Sequence, residues 1–417
     1  MKLVRWHFYA AAVLAACVVV ECTLQKTVVE AATVRAPRFE VDPLWPKPLP
    51  NHWVMGMTIG VSVDAQDHVW IINRPRTNDA RELHAQSEPP AAECCASAAP
   101  VLEFDQAGNL LRHWGGPGEG YDWPNTLHGI TIDYKGQVWI GGAGRGTPPG
   151  QGRTPAGAAP QPLVEGQSDL VGYWNDNMVL KFTMDGKFLM QIGKPNHTKG
   201  SNDVENLRLP AKMFIDPKTD ELYVADGYGN HRVIVYDGET GKYKRHWGAY
   251  GHVPDDTNLG PYKPDAPPAQ QFRNPVHCAM LSHDNLLYVC DRSNDRLQVF
   301  HPDGTFVKEK FIAKNTLGDG SVFDVAFSSD PEQKYIYVCD GENEKIYILD
   351  RDSLDVLTSF GDGGRQPGEF YGVHSIATDS KGNIYTTETY QGHRVQKFVF
   401  KGLAPVTKTD QGVVWPK

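Results

Sequence analysis

The sequence predicts an all-β protein, a six-bladed β-propeller of four-stranded antiparallel blades. Three observations support this fold class: one unit recurs six times along the 417 residues, each unit holds two hairpin patterns, and helical periodicity is almost absent. A recurring unit of this length indicates a solenoid or a propeller. Four-stranded units in series favour the propeller, because a closed ring protects the edge strands.

The first hairpin of each unit alternates apolar and polar residues around a turn rich in Asp, Gly and Asn. Such alternation is typical of antiparallel strands with a buried face. The six copies read GVSVDAQDHVWI, GITIDYKGQVWI, MFIDPKTDELYV, AMLSHDNLLYV, VAFSSDPEQKYIYV and IATDSKGNIYT.

A second hairpin follows each first one, as in VLEFDQAGNLLRHWG and VLKFTMDGKFLMQIG. Each unit is therefore predicted to be one four-stranded blade, and the pattern resembles the NHL repeat. The last copy ends early. We expect a strand from residues 38–46, or the tail GVVWPK, to complete the sixth blade and close the ring.

The N-terminus, residues 1–22, reads as an export signal. Lys2 and Arg5 form a basic region, and residues 6–20 carry no charge. This uncharged stretch is short for a membrane span. Its LAAC sequence resembles the bacterial lipobox, which would place a lipid on Cys17; cleavage near Ala31, or an uncleaved anchor, are the alternatives.

Residues 23–37 are expected to be a linker and residues 38–417 the propeller. Export predicts a periplasmic, outer-membrane lipoprotein or extracellular location, with a lipid anchor as the only membrane attachment. The formal net charge is −9 and no run is rich in Lys or Arg. This excludes a nucleic-acid partner, because neutralising phosphates requires clustered basic side chains.

Five cysteines follow the signal, so at least one lacks an intramolecular disulfide partner in an oxidising compartment. They are Cys94, Cys95, Cys278, Cys290 and Cys339. Cys94 and Cys95 are adjacent. They fit a strained disulfide ring, a pair of thiolates for a metal, or two thiols in a surface loop.

Aligning the six first strands places histidine in every second copy. The aligned residues are Ile59, His128, Ala211, His277, Phe323 and His374. Alternate blades of a six-fold ring are related by 120°, so three imidazoles should converge on the axis. Three histidines with an open fourth position are the ligands of catalytic zinc; other metals, such as iron, cobalt or copper, accept the same donors.

The second strands end on the same face, and acidic residues recur at their ends. Asp226, Asp291, Asp340 and Glu388 are interpreted as caps for backbone N–H groups. Arg74 and Arg292 occupy the next position, where a guanidinium can hold a substrate carboxylate through two hydrogen bonds. Tyr228 follows one residue further on in its copy, as a general base or an aromatic lid residue.

Three long connections also leave this face, at residues 77–100, 143–172 and 249–271. Long loops in a compact domain are typical of lids around a site.

These features resemble peptidyl-α-hydroxyglycine α-amidating lyase, a zinc-dependent six-bladed propeller, over most of residues 54–400. The matching stretches are LHGITIDYKGQVWI, LYVADGYGNHRVIVY, FRNPVHCAMLSHDNLLYVCDRSNDRLQVF and GVHSIATDSKGNIYTTETYQGHRVQKF. The resemblance implies that His128, His277 and His374 bind zinc, that Tyr228 is catalytic, and that Arg74 and Arg292 lie in the active site.

The implied reaction cleaves a carbinolamide N–C bond to an amide and glyoxylate. Tyr228 would take the proton of the substrate hydroxyl, and the arginines would hold the carboxylate. The substrate is thus expected to be a small molecule or peptide that carries a carboxylate. No redox cofactor is expected.

Three positions depart from the family pattern. Gly372 replaces a methionine two residues before the third zinc histidine, Ser375 replaces an aspartate that binds structural calcium, and Gly229 replaces a disulfide cysteine. We therefore do not expect Ca²⁺ to be held in the family's way. Two other functions stay open: a metal-dependent hydrolase or lactonase-like propeller for a small carboxylate, and a non-catalytic NHL-type binding propeller whose metal is a staple.

Overall fold

The computed structural model describes residues 34–145 and 175–416. Six four-stranded antiparallel sheets form a six-bladed propeller, which confirms the predicted fold class. The predicted signal at 1–22, most of the linker 23–37 and most of the insertion 143–172 lie outside the described residues. All helices in the described part are single 3-10 turns of three residues, so none of them can span a bilayer.

Each blade runs from the axis outward in chain order, and the inner strands of neighbouring blades contact one another around the ring. Blades 1 to 3 consist of Met57–Val63, Val69–Arg74, Val101–Phe104 and Leu110–Trp114; of Leu127–Ile132, Gln137–Gly142, Met178–Thr183 and Phe188–Gly193; and of Met213–Ile215, Glu221–Asp226, Arg232–Asp237 and Tyr243–Trp247.

Blades 4 and 5 follow the same order, and blade 6 takes its outermost strand from the N-terminus. They consist of Val276–Leu281, Leu287–Asp291, Arg296–Phe300 and Phe306–Phe311; of Asp324–Phe327, Tyr335–Asp340, Lys345–Asp350 and Val356–Phe360; and of Val373–Thr378, Ile384–Glu388, Val395–Pro405 and Arg35–Asp42.

The N-terminal strand Arg35–Asp42 closes the ring by pairing antiparallel with Val395–Pro405. It begins inside the segment 23–37 that the sequence predicts as linker. The tail also contributes, since Val41 N donates to the carbonyl of Val414 at 2.8 Å. Both segments expected from the sequence therefore contribute to closing the ring. The N-terminal strand pairs within the sheet of blade 6, and the C-terminal tail forms a hydrogen bond to that strand.

The remaining elements lie in the connections. The strands Trp53–Val54 and Ala96–Ser97 pair in parallel and attach the insertion 77–100 to the ring. The 3-10 turns are Pro75–Thr77, Ala80–Glu82, His84–Gln86, Ala249–Gly251 and Arg292–Asn294.

The hydrophobic core is divided among the interfaces between blades. Between blades 1 and 2, for example, Ile59 and Ile72 pack with Ile130 and Ile140, all at most 2% exposed. A corresponding cluster fills each of the other interfaces. Because burying one such side chain contributes about 1.5–3 kcal/mol, these interfaces fix each blade against its neighbours and hold the axial residues in register.

Four of the five cysteines form disulfides. Cys94 is bonded to Cys95, so the adjacent pair forms the closed ring rather than free thiolates. Cys278 and Cys290 are bonded across paired strands of blade 4. Cys339 is the free thiol, and burial raises its pKa well above the ordinary value.

Candidate active site

The three predicted histidines lie where the inner strands of their blades have a β-bulge. The pairing register shifts between Leu127 and Ile130, between Val276 and Cys278, and between Val373 and Ser375. A bulge inserts an unpaired residue and redirects its side chain. His128, His277 and His374 occupy these positions, which explains how their side chains reach the axis.

The three imidazoles converge as the sequence predicts. Their ring centroids are 5.0 Å apart for His128 and His277, 4.9 Å for His128 and His374, and 4.7 Å for His277 and His374. One ligand nitrogen from each ring lies within 4.8 Å of the others. Each residue is only 3% exposed, so the site lies inside the ring.

A backbone carbonyl of the following blade orients each imidazole. The pairs are His128 Nδ1 with Ala211 O at 2.9 Å, His374 Nδ1 with Ile59 O at 2.8 Å, and His277 Nδ1 with Phe323 O. Ala211, Ile59 and Phe323 are the residues aligned with the histidines in the intervening copies. Because Nδ1 must donate to a carbonyl, the lone pair of a neutral ring lies on Nε2.

Burial lowers the pKa of all three histidines well below the ordinary value, and the positive charges of Arg74 and Arg292 lower it for His128 and His374 as well. The imidazoles are therefore neutral at neutral pH, the form that binds metals. Three neutral imidazoles with an open fourth side fit catalytic zinc. Ligand type alone does not choose among divalent metals.

Tyr228 and Arg292 meet at this centre. The Oη atom of Tyr228 lies 3.0 Å from Nε2 of both His128 and His277. Arg292 donates from Nη1 to the same oxygen at 3.0 Å, and its guanidinium lies 4.6 Å from the centre of the Phe323 ring. The two predicted residues thus contact each other, and Tyr228 also contacts the histidine cluster.

Arg74 is the second predicted arginine at the centre. Its Nε donates to the carbonyl of Leu127 at 2.7 Å. Burial lowers its pKa to about 10, and the nearby Tyr228 and Asp176 oppose this shift. No carboxylate of the described residues forms an ion pair with Arg74, so its charge is available to an anionic ligand.

A cleft of about 850 Å³ leads to Tyr228 and Arg292. Residues 258–262 of the long 249–271 connection line it, together with Arg145 and Asp319. A smaller cavity of about 250 Å³ lies beside Arg74. The connection 249–271 therefore borders the site on the predicted face.

The recurring acidic residues cap backbone N–H groups, as the sequence predicts. Asp226 accepts from Arg208 N, Asp291 from Arg273 N and Glu388 from Tyr371 N; Asp340 accepts from Glu342 N and Asn343 N. Three of them also pair with a buried or half-buried arginine at or just before the start of the next strand. Their contacts therefore indicate a structural role at the ends of the blades rather than a catalytic one.

Sequence reasoning missed two residues at the mouth, Asp319 and Tyr390. Asp319 Oδ1 lies 3.3 Å from Nη2 of Arg292, and Tyr390 donates from Oη to Asp319 Oδ2. Asp319 lies in a connection between blades, where no repeat alignment applies. Tyr390 lies in a turn of blade 6, inside the ETYQGHR stretch.

Ser375, at the position of the family's calcium ligand, belongs to a cluster separate from the three histidines. Ser375 donates to Asp324 Oδ2 at 2.6 Å, and Lys212 Nζ lies 2.6 Å from the same oxygen. Both partners of this ion pair are buried. An internal ammonium therefore neutralises the carboxylate next to the axis.

No protein-family model matches the chain. A segment of 202 residues, 47% of the chain, is 28% identical to peptidyl-glycine alpha-amidating monooxygenase B of Xenopus laevis and covers 21% of that protein. A segment of 109 residues, 26% of the chain, is 31% identical to the peptidyl-glycine alpha-amidating monooxygenase of Mus musculus and covers 10% of it. The matched segments thus span a minor part of these relatives.

Two solved structures match the chain at low similarity. A streptogramin B lyase gives a TM-score of 0.48 and 14% identity, over 88% of this chain and 98% of that chain. A catalytically inactive virginiamycin B lyase of Staphylococcus aureus with quinupristin gives 0.43 and 13%, over 91% and 94%. By its own sheets the chain is a six-bladed propeller, and its sequence has weak homology to the peptidyl-glycine alpha-amidating monooxygenases.

Proposed function

We propose that this protein is a metal-dependent lyase that cleaves the N–C bond of a carbinolamide and releases an amide and glyoxylate. The observation that carries the proposal is the contact of Tyr228 Oη with two of the three convergent imidazoles and with Arg292. Weak homology to amidating enzymes supports the same reaction.

His128, His277 and His374 would hold the metal, for which zinc is the favoured ion. When bound, zinc polarises an oxygen of the substrate and favours loss of its proton. The three carbonyl contacts at Nδ1 keep Nε2 of each ring directed to one point before any ion binds. This preorganisation is the contribution of the chain to the metal site.

Tyr228 is placed to take the proton of the substrate hydroxyl. The electron pair of that O–H bond forms the carbonyl of glyoxylate, the N–C bond breaks, and the leaving amide nitrogen gains the proton that Tyr228 took. Arg292 donates to the Tyr228 oxygen, and its positive charge would stabilise the phenolate that accepts this proton. The buried surroundings strengthen this interaction, because few water molecules compete for it.

Arg74 would bind the substrate carboxylate. Its charge has no acidic partner among the described residues, and its Nε contact with Leu127 fixes the plane of the guanidinium. A planar guanidinium can grip a carboxylate through two parallel hydrogen bonds. A small molecule or peptide with a terminal carboxylate is therefore the proposed substrate, reached through the cleft at Tyr228.

The test uses zinc-loaded protein and N-benzoyl-α-hydroxyglycine. We expect benzamide and glyoxylate in equal amounts. Tyr228→Phe should lower kcat by about 10²–10⁴-fold with the metal content unchanged. Tyr371, which donates to Gln391 at 3.2 Å outside the site, supplies the control Tyr371→Phe, which should keep full activity.

Other products would point elsewhere. Release of benzoate would identify a hydrolase. Bound metal without turnover of this compound, or of small esters and lactones, would favour a non-catalytic propeller in which the metal only stabilises the fold. As part of the same proposal, the protein is exported to a periplasmic, outer-membrane or extracellular location, and a lipid on Cys17 is the membrane attachment proposed for the lipoprotein form.

A further inference from the structure

We propose that Asp319 and Tyr390 are positioning residues, which form a strap across the mouth of the site and hold Arg292 against Tyr228. This inference rests on the proposed function. The strap joins the connection before blade 5 to the turn after the second strand of blade 6. It assigns a role to two residues that lie outside the repeat pattern.

Arg292 is fixed by Asp319 at two points. Its Nε donates to the carbonyl of Asp319 at 2.9 Å, and its Nη2 lies 3.3 Å from the carboxylate of the same residue. The remaining terminal nitrogen, Nη1, is thereby directed to Tyr228. Glu342 accepts from the backbone N–H of Asp319 at 3.1 Å, so blade 5 anchors the loop.

Tyr390 secures the free side of the Asp319 carboxylate. Its Oη donates to Oδ2, the oxygen further from Arg292 in this network. The Tyr390 side chain is 45% exposed, and its backbone has a φ of 50°, in the left-handed region. A bulky residue in this conformation is strained, which is typical of functional positions.

Gly372 makes room for the Tyr390 ring. A Cβ atom at position 372 would lie 2.6 Å from Cδ2 of Tyr390, and the φ of Gly372 is 74°. A side chain at position 372 is therefore incompatible with this placement of Tyr390. The glycine two residues before His374 and the strap are parts of one feature.

The negative charge of Asp319 makes it possible to distinguish an effect on the orientation of Arg292 from an effect on substrate affinity. A carboxylate beside Arg292 reduces the attraction of that guanidinium for an anionic substrate, so Asp319 does not strengthen substrate binding. Asp319 contributes instead by directing Nη1 of Arg292 to Tyr228. Removing the charge should therefore lower kcat without raising KM, whereas loss of a substrate-binding group raises KM.

The experiment compares Asp319→Asn and Tyr390→Phe with Tyr371→Phe as control, all zinc-loaded, using N-benzoyl-α-hydroxyglycine. We expect kcat to fall on the order of tenfold in both strap variants, with KM unchanged or lower. The control should match the wild type. Either a kcat within twofold of wild type in both strap variants, or a raised KM at unchanged kcat, would overturn the strap.

Two readouts remain if the wild type releases no glyoxylate, a result that would reject the proposed function alone. Calorimetric titration with hippurate should show equal or tighter binding to Asp319→Asn, and weaker binding would overturn the strap. A crystal structure of Asp319→Asn should show Arg292 Nη1 away from Tyr228 Oη. An unchanged contact there would also overturn it.

Discussion

The Nδ1 atom of His128, on blade 2, lies 2.9 Å from the carbonyl oxygen of Ala211, on blade 3. The same relation joins His277 to Phe323 and His374 to Ile59. Even-numbered blades thus supply the imidazoles, and odd-numbered blades supply the carbonyls that orient them. Three such pairs involve all six blades, which makes the candidate metal site a property of the whole ring.

Gly129→Ala should weaken metal binding without changing a ligand. A Cβ atom at position 129 would lie 2.3 Å from the carbonyl oxygen of Ala211, so the carbonyl must move away from His128. Loss of such an outer contact lowers metal affinity by about 10–100-fold. Competition with a fluorescent zinc chelator measures the change.

Gly363→Ala is the matched control, because the nearest atom to its added Cβ lies 3.9 Å away. It should keep the affinity of the wild type. Equal zinc affinity in Gly129→Ala and wild type, with both folded by circular dichroism, would show that the carbonyl does not tune the site.

His277→Ala should abolish tight metal binding. Removing one of three ligands should lower the affinity at least about a hundredfold, since even outer contacts contribute up to that factor. Elemental analysis of protein dialysed against trace zinc measures the bound ion. The exposed His301 provides the control His301→Ala, and a stoichiometric ion in both variants would contradict the assignment.

The sequence predicts the convergence of the histidines because it depends only on copy number and alignment. His128, His277 and His374 occupy alternate copies, and the 120° rotation between alternate blades brings their side chains together on the axis. The carbonyl partners cannot be predicted in this way, because every residue type has a backbone carbonyl and the identity of Ala211 therefore does not indicate the bond.

Asp319 and Tyr390 escaped prediction for a different reason. Their meeting depends on how two connections from different blades fold over the axis, and such loops carry no periodic pattern. Gly372 departs from the family pattern in the sequence, but only the folded structure brings it against the Tyr390 ring.

Arg74→Met should raise the KM for N-benzoyl-α-hydroxyglycine at least about tenfold, because a substrate carboxylate would lose its ion pair. Arg74→Lys should not restore it, since an ammonium cannot contact Leu127 and grip a carboxylate through two bonds at once. Steady-state kinetics measure both. The control is Arg81→Met, whose side chain is 86% exposed; a wild-type KM in Arg74→Met would remove this role.

Asp295, which is not part of the histidine cluster, should make the stability of the protein depend on pH. Its Oδ1 accepts from Ser321 N at 2.9 Å, and its buried Oδ2 has no hydrogen-bond partner among the described residues. Burial raises its pKa to about 7 from 3.8. The folded state therefore binds this proton more tightly than the unfolded state, and the stability it contributes is lost as the pH rises from about 4 through 7.

Asp295→Asn should remove this dependence, because the amide carries no charge and Asn also tolerates the left-handed φ of 53° at this position. The free energy of unfolding of the variant minus that of the wild type should be larger, meaning a more stable variant, at pH 8 than at pH 5 by roughly 1–2 kcal/mol. Urea unfolding at both pH values measures it, with Asp265→Asn as the exposed control. An equal difference at the two pH values would mean that Asp295 keeps its charge throughout this range.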